Sequence, residues 1–441
     1  MKYLCNKPFA PSKFPIYYGW VILGAGTIGM LMSVPGQTVG VSAFTEDLLN
    51  DLKVNRDSLS LAYLVGTILS GLLITKAGKY YDKYGARVMA FIAGVMLGVI
   101  LLYLTRVGRI ANVLQRADWI TPKIATFVLL SIGFWGIRFF GQGMLTMVSR
   151  NMVMKWFDKR RGMANAVLGI FTALGFSLAP QVLSQIINRL EWRGAWVMLA
   201  FMAGVLFAIF VLIVFRDNPQ SCGMKPDGRM PVRRARKRPP SLPEIDFTLK
   251  EACRTLPFWA FTLALALASL YVTGLTFHIV SIFESSGMTS EKALAIFVPT
   301  SIVAVTVQFA FSYISDFVKL KYLLAFFLTG MLISSLGLFL LAGQPAAYSI
   351  IIGGNGIVWG MYAVLIGVTW PRFYGLKNLG AISGFSLSLT VFGSALGPYL
   401  FSLSLKYAGS YGMVALFIMA LSAILLLLSP RANNPGVPSE G

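Results

Sequence analysis

The chain is 441 residues long, 56% hydrophobic and only 12% charged, with a mean hydropathy of +0.71. Soluble domains carry about twice that charged fraction, so the composition excludes an ordinary soluble protein. A net charge of +21 invites a nucleic-acid partner, and the placement of the cations between apolar runs argues against one.

Residues 1–15 are a polar tail. Beyond it, apolar runs of about 20 residues recur, each long enough for a helix to cross roughly 30 Å of hydrocarbon. Short alternating strands are absent, which argues against an outer-membrane barrel. The first run is too long for a cleaved signal segment and is expected to remain as span 1. Six spans fall near 17–44, 59–77, 88–105, 124–149, 162–187 and 194–215, and form a bundle over 16–215. A linker over 216–256, rich in Pro, Arg and Lys, breaks the pattern. Six more spans near 258–283, 293–313, 322–342, 348–370, 380–405 and 413–429 form a second bundle over 257–430, followed by a tail, 431–441. The expected fold is an all-α membrane protein of twelve transmembrane helices in two six-helix bundles.

With the amino terminus inside, 27 of the 38 Lys and Arg residues fall in cytoplasmic segments, ten fall outside and one, Arg138, lies within a span. This bias places both termini in the cytoplasm. The cluster Arg233-Arg234-Ala235-Arg236-Lys237-Arg238 sits in the longest cytoplasmic loop, where it serves topology or touches anionic lipid rather than nucleic acid. Cys5, Cys222 and Cys253 have no metal-ligand spacing and read as free thiols. One histidine and few intramembrane acids supply no catalytic constellation, so an enzyme is not expected, nor a cofactor or a metal.

Between spans 2 and 3 lies a short polar turn, Gly78 to Arg87, holding Asp82 and Gly85. It ties two helices tightly on the cytoplasmic face and suits a conformational gate. Span 5 repeats in span 11: Gly162, Gly175, Leu178, Pro180 and Gly194 recur as Gly380, Gly393, Leu396, Pro398 and Gly412, each 218 positions later. Asp316 is a weaker counterpart of Asp82 after span 8. Two parallel repeats imply a secondary transporter.

Within the spans, Pro35-Gly36 predicts a helix break that frees backbone carbonyls beside Gln37. Arg138 is a costly buried cation, about 2.5–3.5 kcal/mol on insertion scales; it either contacts solute or holds span 4 to its neighbours. Tyr271, His278 and Ser281 are spaced to share one face of span 7. His278, the sole histidine, can carry a proton or sit neutral between helices, and Glu284 is the alternative proton acceptor. Asn355, Trp359 and Tyr362 make a polar-aromatic face on span 10. Ser383, Ser386, Thr390 and Ser394 make a stripe on span 11 that suits lining or close packing. Gln181 and Gln185 pair in span 5.

Gly78, Asp82, Gly85 and Arg87 resemble the loop pattern of the major facilitator superfamily, with Ala86 in place of its first basic residue. The run Arg138-Phe139-Phe140-Gly141-Gln142-Gly143 resembles a second pattern of that superfamily. Tyr18-Gly19-Trp20, Trp156-Phe157, Arg160-Arg161-Gly162, Trp192-Arg193 and Gly380-Ala381-Ile382-Ser383-Gly384 resemble bacterial relatives of its monocarboxylate-porter branch. That branch holds carboxylates with a lysine late in span 1 and an arginine in span 8. Here Pro35-Gly36-Gln37 and Gln308 stand near those places, and span 11 lacks the lysine of the oxalate/formate exchangers. The resemblance implies a monomeric inner-membrane carrier of a small polar or organic-acid-like solute. It works by alternating access with proton symport, or else as an exporter, an antiporter or a non-transporting sensor.

Overall fold

The computed structural model describes residues 6–116, 121–228, 246–341, 344 and 346–435. The basic cluster at Arg233–Arg238 lies outside them. Ten helices are long and apolar enough to cross a membrane among the described residues. Two of these are double. Residues Arg56–Arg116 form one run broken at Gly85 (φ 82, ψ 171), and Arg161–Phe201 is broken at Glu191 (φ 58, ψ 168). Counting both breaks, the described residues hold the twelve spans of the expected fold.

The join between spans 2 and 3 is tighter than its sequence suggests. Gly78 is helical, and Gly85 alone in that stretch takes a positive φ, a backbone shape that glycine adopts without a Cβ clash. Span 3 also continues to Arg116, beyond its expected end at 105.

Span 1 breaks where Pro35 predicts. Helix Tyr18–Leu31 gives way to a 3₁₀ turn, Val34–Gly36; Gln37 is extended and a short helix resumes over Thr38–Ser42. Span 7 departs from expectation. Its helix ends at Phe277 and restarts at Ile279, with His278 non-helical between them. Tyr271, His278 and Ser281 still look to one side: the Phe401 ring lies beside Tyr271 and His278, and Tyr411 bonds Ser281 and faces His278.

The chain divides into two compact units: Met1–Phe157 with Phe171–Arg229, and Asp158–Ile170 with Met230–Gly441. In the first, Leu97, Leu101, Phe134 and Trp196 are among the buried core. In the second, Phe258, Tyr271, Phe327, Trp370 and Phe401 are. Lipid is as apolar as leucine, so packing rather than water exclusion holds membrane helices together, and small residues let backbones meet. A Cβ on Gly36 would stand 2.2 Å from the Ile137 carbonyl and 2.9 Å from Gly141 Cα, which fixes spans 1 and 4 in contact. Gly393 and Gly397 meet the Ala266 and Leu270 carbonyls in the same way in the second unit.

Cys253 is free, but Cys222 is disulfide-bonded, against the expectation of three free thiols; sequence spacing does not encode pairing. Cys5 lies outside the described residues.

Candidate solute-binding and gating sites

In the first unit the break in span 1 supplies a polar pocket for Arg138. Its Nη1 donates to the Gly36 carbonyl and the Thr38 hydroxyl, both at 3.4 Å. Its guanidinium lies over the Tyr63 ring, 5.2 Å from the centroid, and Tyr63 Oη shares a hydrogen bond with Thr38 at 3.0 Å. Arg138 is 2% exposed and its Nε has no hydrogen-bond partner among the described residues. Thr38 is exposed, so the cation sits one side chain below an accessible surface. Arg138 also opens a π-helical stretch, Arg138–Leu145, an irregularity frequent at functional sites. No carboxylate pairs with it among the described residues. Gln37 bonds Ser33 Oγ at 3.0 Å instead of the arginine. Tyr63 and Thr38 are absent from the sequence reading. The i, i+4 spacing of Tyr63 and Thr67 in span 2 was the available signal for the first.

In the second unit spans 8 and 10 bring together polar atoms that lack partners. Gln308 Nε2, Asn355 Oδ1, Trp359 Nε1 and Thr300 Oγ1 are buried without a hydrogen bond among the described residues. Gly356 and Gly360 make the close approach, against the Thr300 and Ala304 carbonyls. Ser312, Thr369 and Trp370 on the same two helices hold further such atoms. Buried polar groups are nearly always bonded, so spans 8 and 10 carry an unusual concentration of unpaired ones among the described residues. Thr300 is new; its spacing of eight from Gln308 puts both on one helix face. Tyr362 has an interaction of its own. Asn165, also unexpected, donates to the Ala363 carbonyl at 3.0 Å.

Other candidates are tied into the packing. Tyr271 is fully buried and its hydroxyl shares a 2.7 Å bond with Ser334. His278 Nε2 is 3.0 Å from the Pro398 carbonyl, so that nitrogen carries the hydrogen; Nδ1 faces Tyr411 Oη at 3.5 Å. Tyr411 in turn donates to Ser281 at 2.8 Å. Glu284 is exposed at the end of the short helix after His278. On span 11, Thr390 bonds back to Leu387 and Ser394 to Thr273. Gln181 is exposed.

The charged residues at the ends of the spans form two clusters. In the first unit Asp217, after span 6, accepts the Ala86 N–H at 3.1 Å and the Lys155 ammonium at 3.3 Å. Asp217 thus caps span 3 just beyond Gly85. Asp82 has contacts of its own, and Arg87 donates to the Lys7 carbonyl at 2.9 Å. In the second unit Asp316 accepts the Gly162 N–H at 2.9 Å and pairs with Arg372 at 3.3 Å. Arg372 also donates to the Ser315 carbonyl, and Asp158 pairs with Arg161 at 3.5 Å.

The sequence profile of the Major Facilitator Superfamily matches residues 22–398. The chain belongs to that superfamily. It is a multi-pass membrane transporter, and the members of this family bind small molecules. Solved structures of similar fold include the fucose:proton symporter of E. coli, with a TM-score of 0.63 and 14% identity over 94% of this chain and 99% of that one. A proton:xylose symporter gives 0.61 and 16% over 94% and 95%. A bacterial homologue of the iron transporter ferroportin gives 0.62 and 14% over 93% and 98%. At such identities the likeness concerns the fold alone. Among curated proteins, Citrate exporter 1 of Yarrowia lipolytica (strain CLIB 122 / E 150) is 23% identical over 206 residues, 47% of this chain. That match spans 28% of the exporter's length.

Proposed function

We propose that the chain is a secondary active transporter moving a small polar or organic-acid-like solute by alternating access, with proton symport as its coupling. The observation that carries this is Arg138, a buried guanidinium held only by neutral groups among the described residues. A cation so placed is costly, and an anionic solute group is the partner that would offset it. The orphan amide and indole atoms of Gln308, Asn355 and Trp359 supply neutral hydrogen bonds for the rest of a polar solute. Gln37 and Tyr362 are further candidate contacts.

His278 is the candidate proton carrier: Nδ1 is the ring nitrogen available to a second proton, beside a tyrosine hydroxyl that can turn to suit. Asp82, Gly85 and Arg87, with Gly78 in the preceding turn, and Asp316 at its Gly162 cap, serve the gate. The protein works as a monomer in the inner (plasma) membrane, with termini and linker in the cytoplasm, as the charge bias supports. Export is a second reading, favoured by the partial likeness to a citrate exporter.

The test is uptake by purified protein in liposomes, with and without an imposed pH gradient, across carboxylic acids, amino acids and neutral polyols. Accumulation of an acid driven by an inward proton gradient is expected. Accumulation indifferent to the gradient would sink symport. Binding without accumulation would leave a sensor.

A further inference from the structure

On the first unit a groove of about 580 Å³ is lined by Lys7, Pro8, Arg87, Val88, Phe91 and Leu212. Its chemistry is divided. Lys7 and Arg87 form a cationic rim, while Val88, Phe91 and Leu212 form an apolar floor. Val88 is 36% and Leu212 42% exposed; they stand where span 3 begins and span 6 ends.

A third cation strengthens the field. Arg216 lies one turn beyond Leu212, buried, with its guanidinium 5.1 Å from the Phe9 ring centroid. It donates to the Phe9, Phe215 and Ile213 carbonyls. Burial chiefly, with the repulsion of Arg87 in addition, pushes its pKa down to about 10.

We propose that this groove binds one anionic phospholipid, its phosphate between Lys7 and Arg87 and its chains along Phe91 and Leu212. Basic pockets between membrane helices on the cytoplasmic side suit such headgroups. A free phosphate would leave the apolar floor uncovered, a zwitterionic lipid would bring its own cation to a cationic rim, and an acyl chain alone would leave the rim unmatched. Charge complementarity selects a lipid with one net negative charge and two alkyl chains. The occupied groove would pin the amino-terminal segment to spans 3 and 6, beside the turn at Gly85.

The test uses the full chain in detergent micelles, titrated with phosphatidylglycerol or phosphatidylcholine and read by lipid retention in native mass spectrometry and by melting temperature. Wild type should retain one phosphatidylglycerol and melt higher with it. Each surface cation contributes about a fivefold change in affinity, so Lys7→Gln with Arg87→Gln should weaken retention about 25-fold. Leu212→Trp, which fills the floor and leaves the charges intact, should also abolish retention, and covers the case in which the double variant folds poorly. Equal retention of phosphatidylcholine, equal protection by glycerol phosphate or inorganic phosphate, or unchanged retention in Leu212→Trp would each overturn the proposal.

Discussion

Asp316 accepts the backbone N–H of Gly162 at 2.9 Å, so a carboxylate after span 8 caps the first turn of span 5. An acid at a helix N-terminus answers the unpaired N–H groups and the positive end of the helix dipole. Asp316 nonetheless has its pKa raised, because burial outweighs the Gly162 bond and the Arg372 and Arg161 charges. A buried ion pair whose desolvation exceeds its attraction is a weak clasp. Such a weak clasp is what the proposed gating role of Asp316 would need.

Gly162 is the place to jam this clasp. A Cβ there would stand 1.9 Å from the Ser312 carbonyl and 2.9 Å from Asp316 Oδ1. The nearer atom is backbone and cannot swing away. Gly162→Ala is expected to keep solute affinity within about twofold while slowing transport at least about tenfold, since overpacking of about 1–3 kcal/mol falls on the capped state. Equilibrium binding and liposome turnover measure the two separately; lost affinity with normal turnover would remove Gly162 from the gate.

The raised pKa of Asp316 also fixes a sign. Its folded value lies above the unfolded value of 3.8, so between the two the folded state binds the extra proton. By linkage, this group favours folding more as pH falls through its folded pKa and least above it. Asp316→Asn cannot take part. Melts of both proteins between about pH 4 and about pH 8 should show the wild type gaining on Asp316→Asn as pH falls. A difference constant across that range would mean Asp316 is not buried against its charge.

Arg138 separates solute binding from structure. Replacing a buried charge by an apolar side chain of similar length is often neutral or stabilising, because the desolvation cost goes with it. Arg138→Met should therefore melt at or above the wild-type temperature, yet lose solute binding at least about tenfold, the value of one charge-assisted hydrogen bond. Arg138→Lys keeps the charge but not the planar fork, and should fall between. A variant that loses stability and binding together would assign Arg138 to scaffolding between spans 1 and 4.

What the sequence revealed and what it hid follow one physical division. The spans are visible because bilayer thickness imposes a length and composition on each of them. The break at Pro35 is visible because proline lacks an N–H, and the repeat at Gly162 and Gly380 because identical packing needs recur at a fixed interval. Hidden features depend on neighbours far along the chain. Asp217 caps Ala86 from 131 residues away, and Thr38 and Tyr63 reach Arg138 from two other spans. The break at His278 carries no proline or glycine of its own. It shows only in the structure, where the backbone kinks at His278 while its N–H still bonds the Gly274 carbonyl and its ring reaches Pro398.

His278 is also where proton coupling can be tried. Its Nε2–H donates to the Pro398 carbonyl at 3.0 Å and its ring lies nearly parallel to Phe401, centroids 6.3 Å apart. Glutamine keeps an N–H donor of comparable reach but cannot take up a proton. If the imidazole carries the coupled proton, His278→Gln should exchange labelled solute across a liposome membrane at close to the wild-type rate, yet fail to concentrate it against an imposed pH gradient. His278→Ala, which loses the donor as well, should lower the melting temperature, because the bond between spans 7 and 11 goes with it. Gradient-driven accumulation that survives in His278→Gln would leave the histidine a bracket between two helices and move the proton to the solute itself.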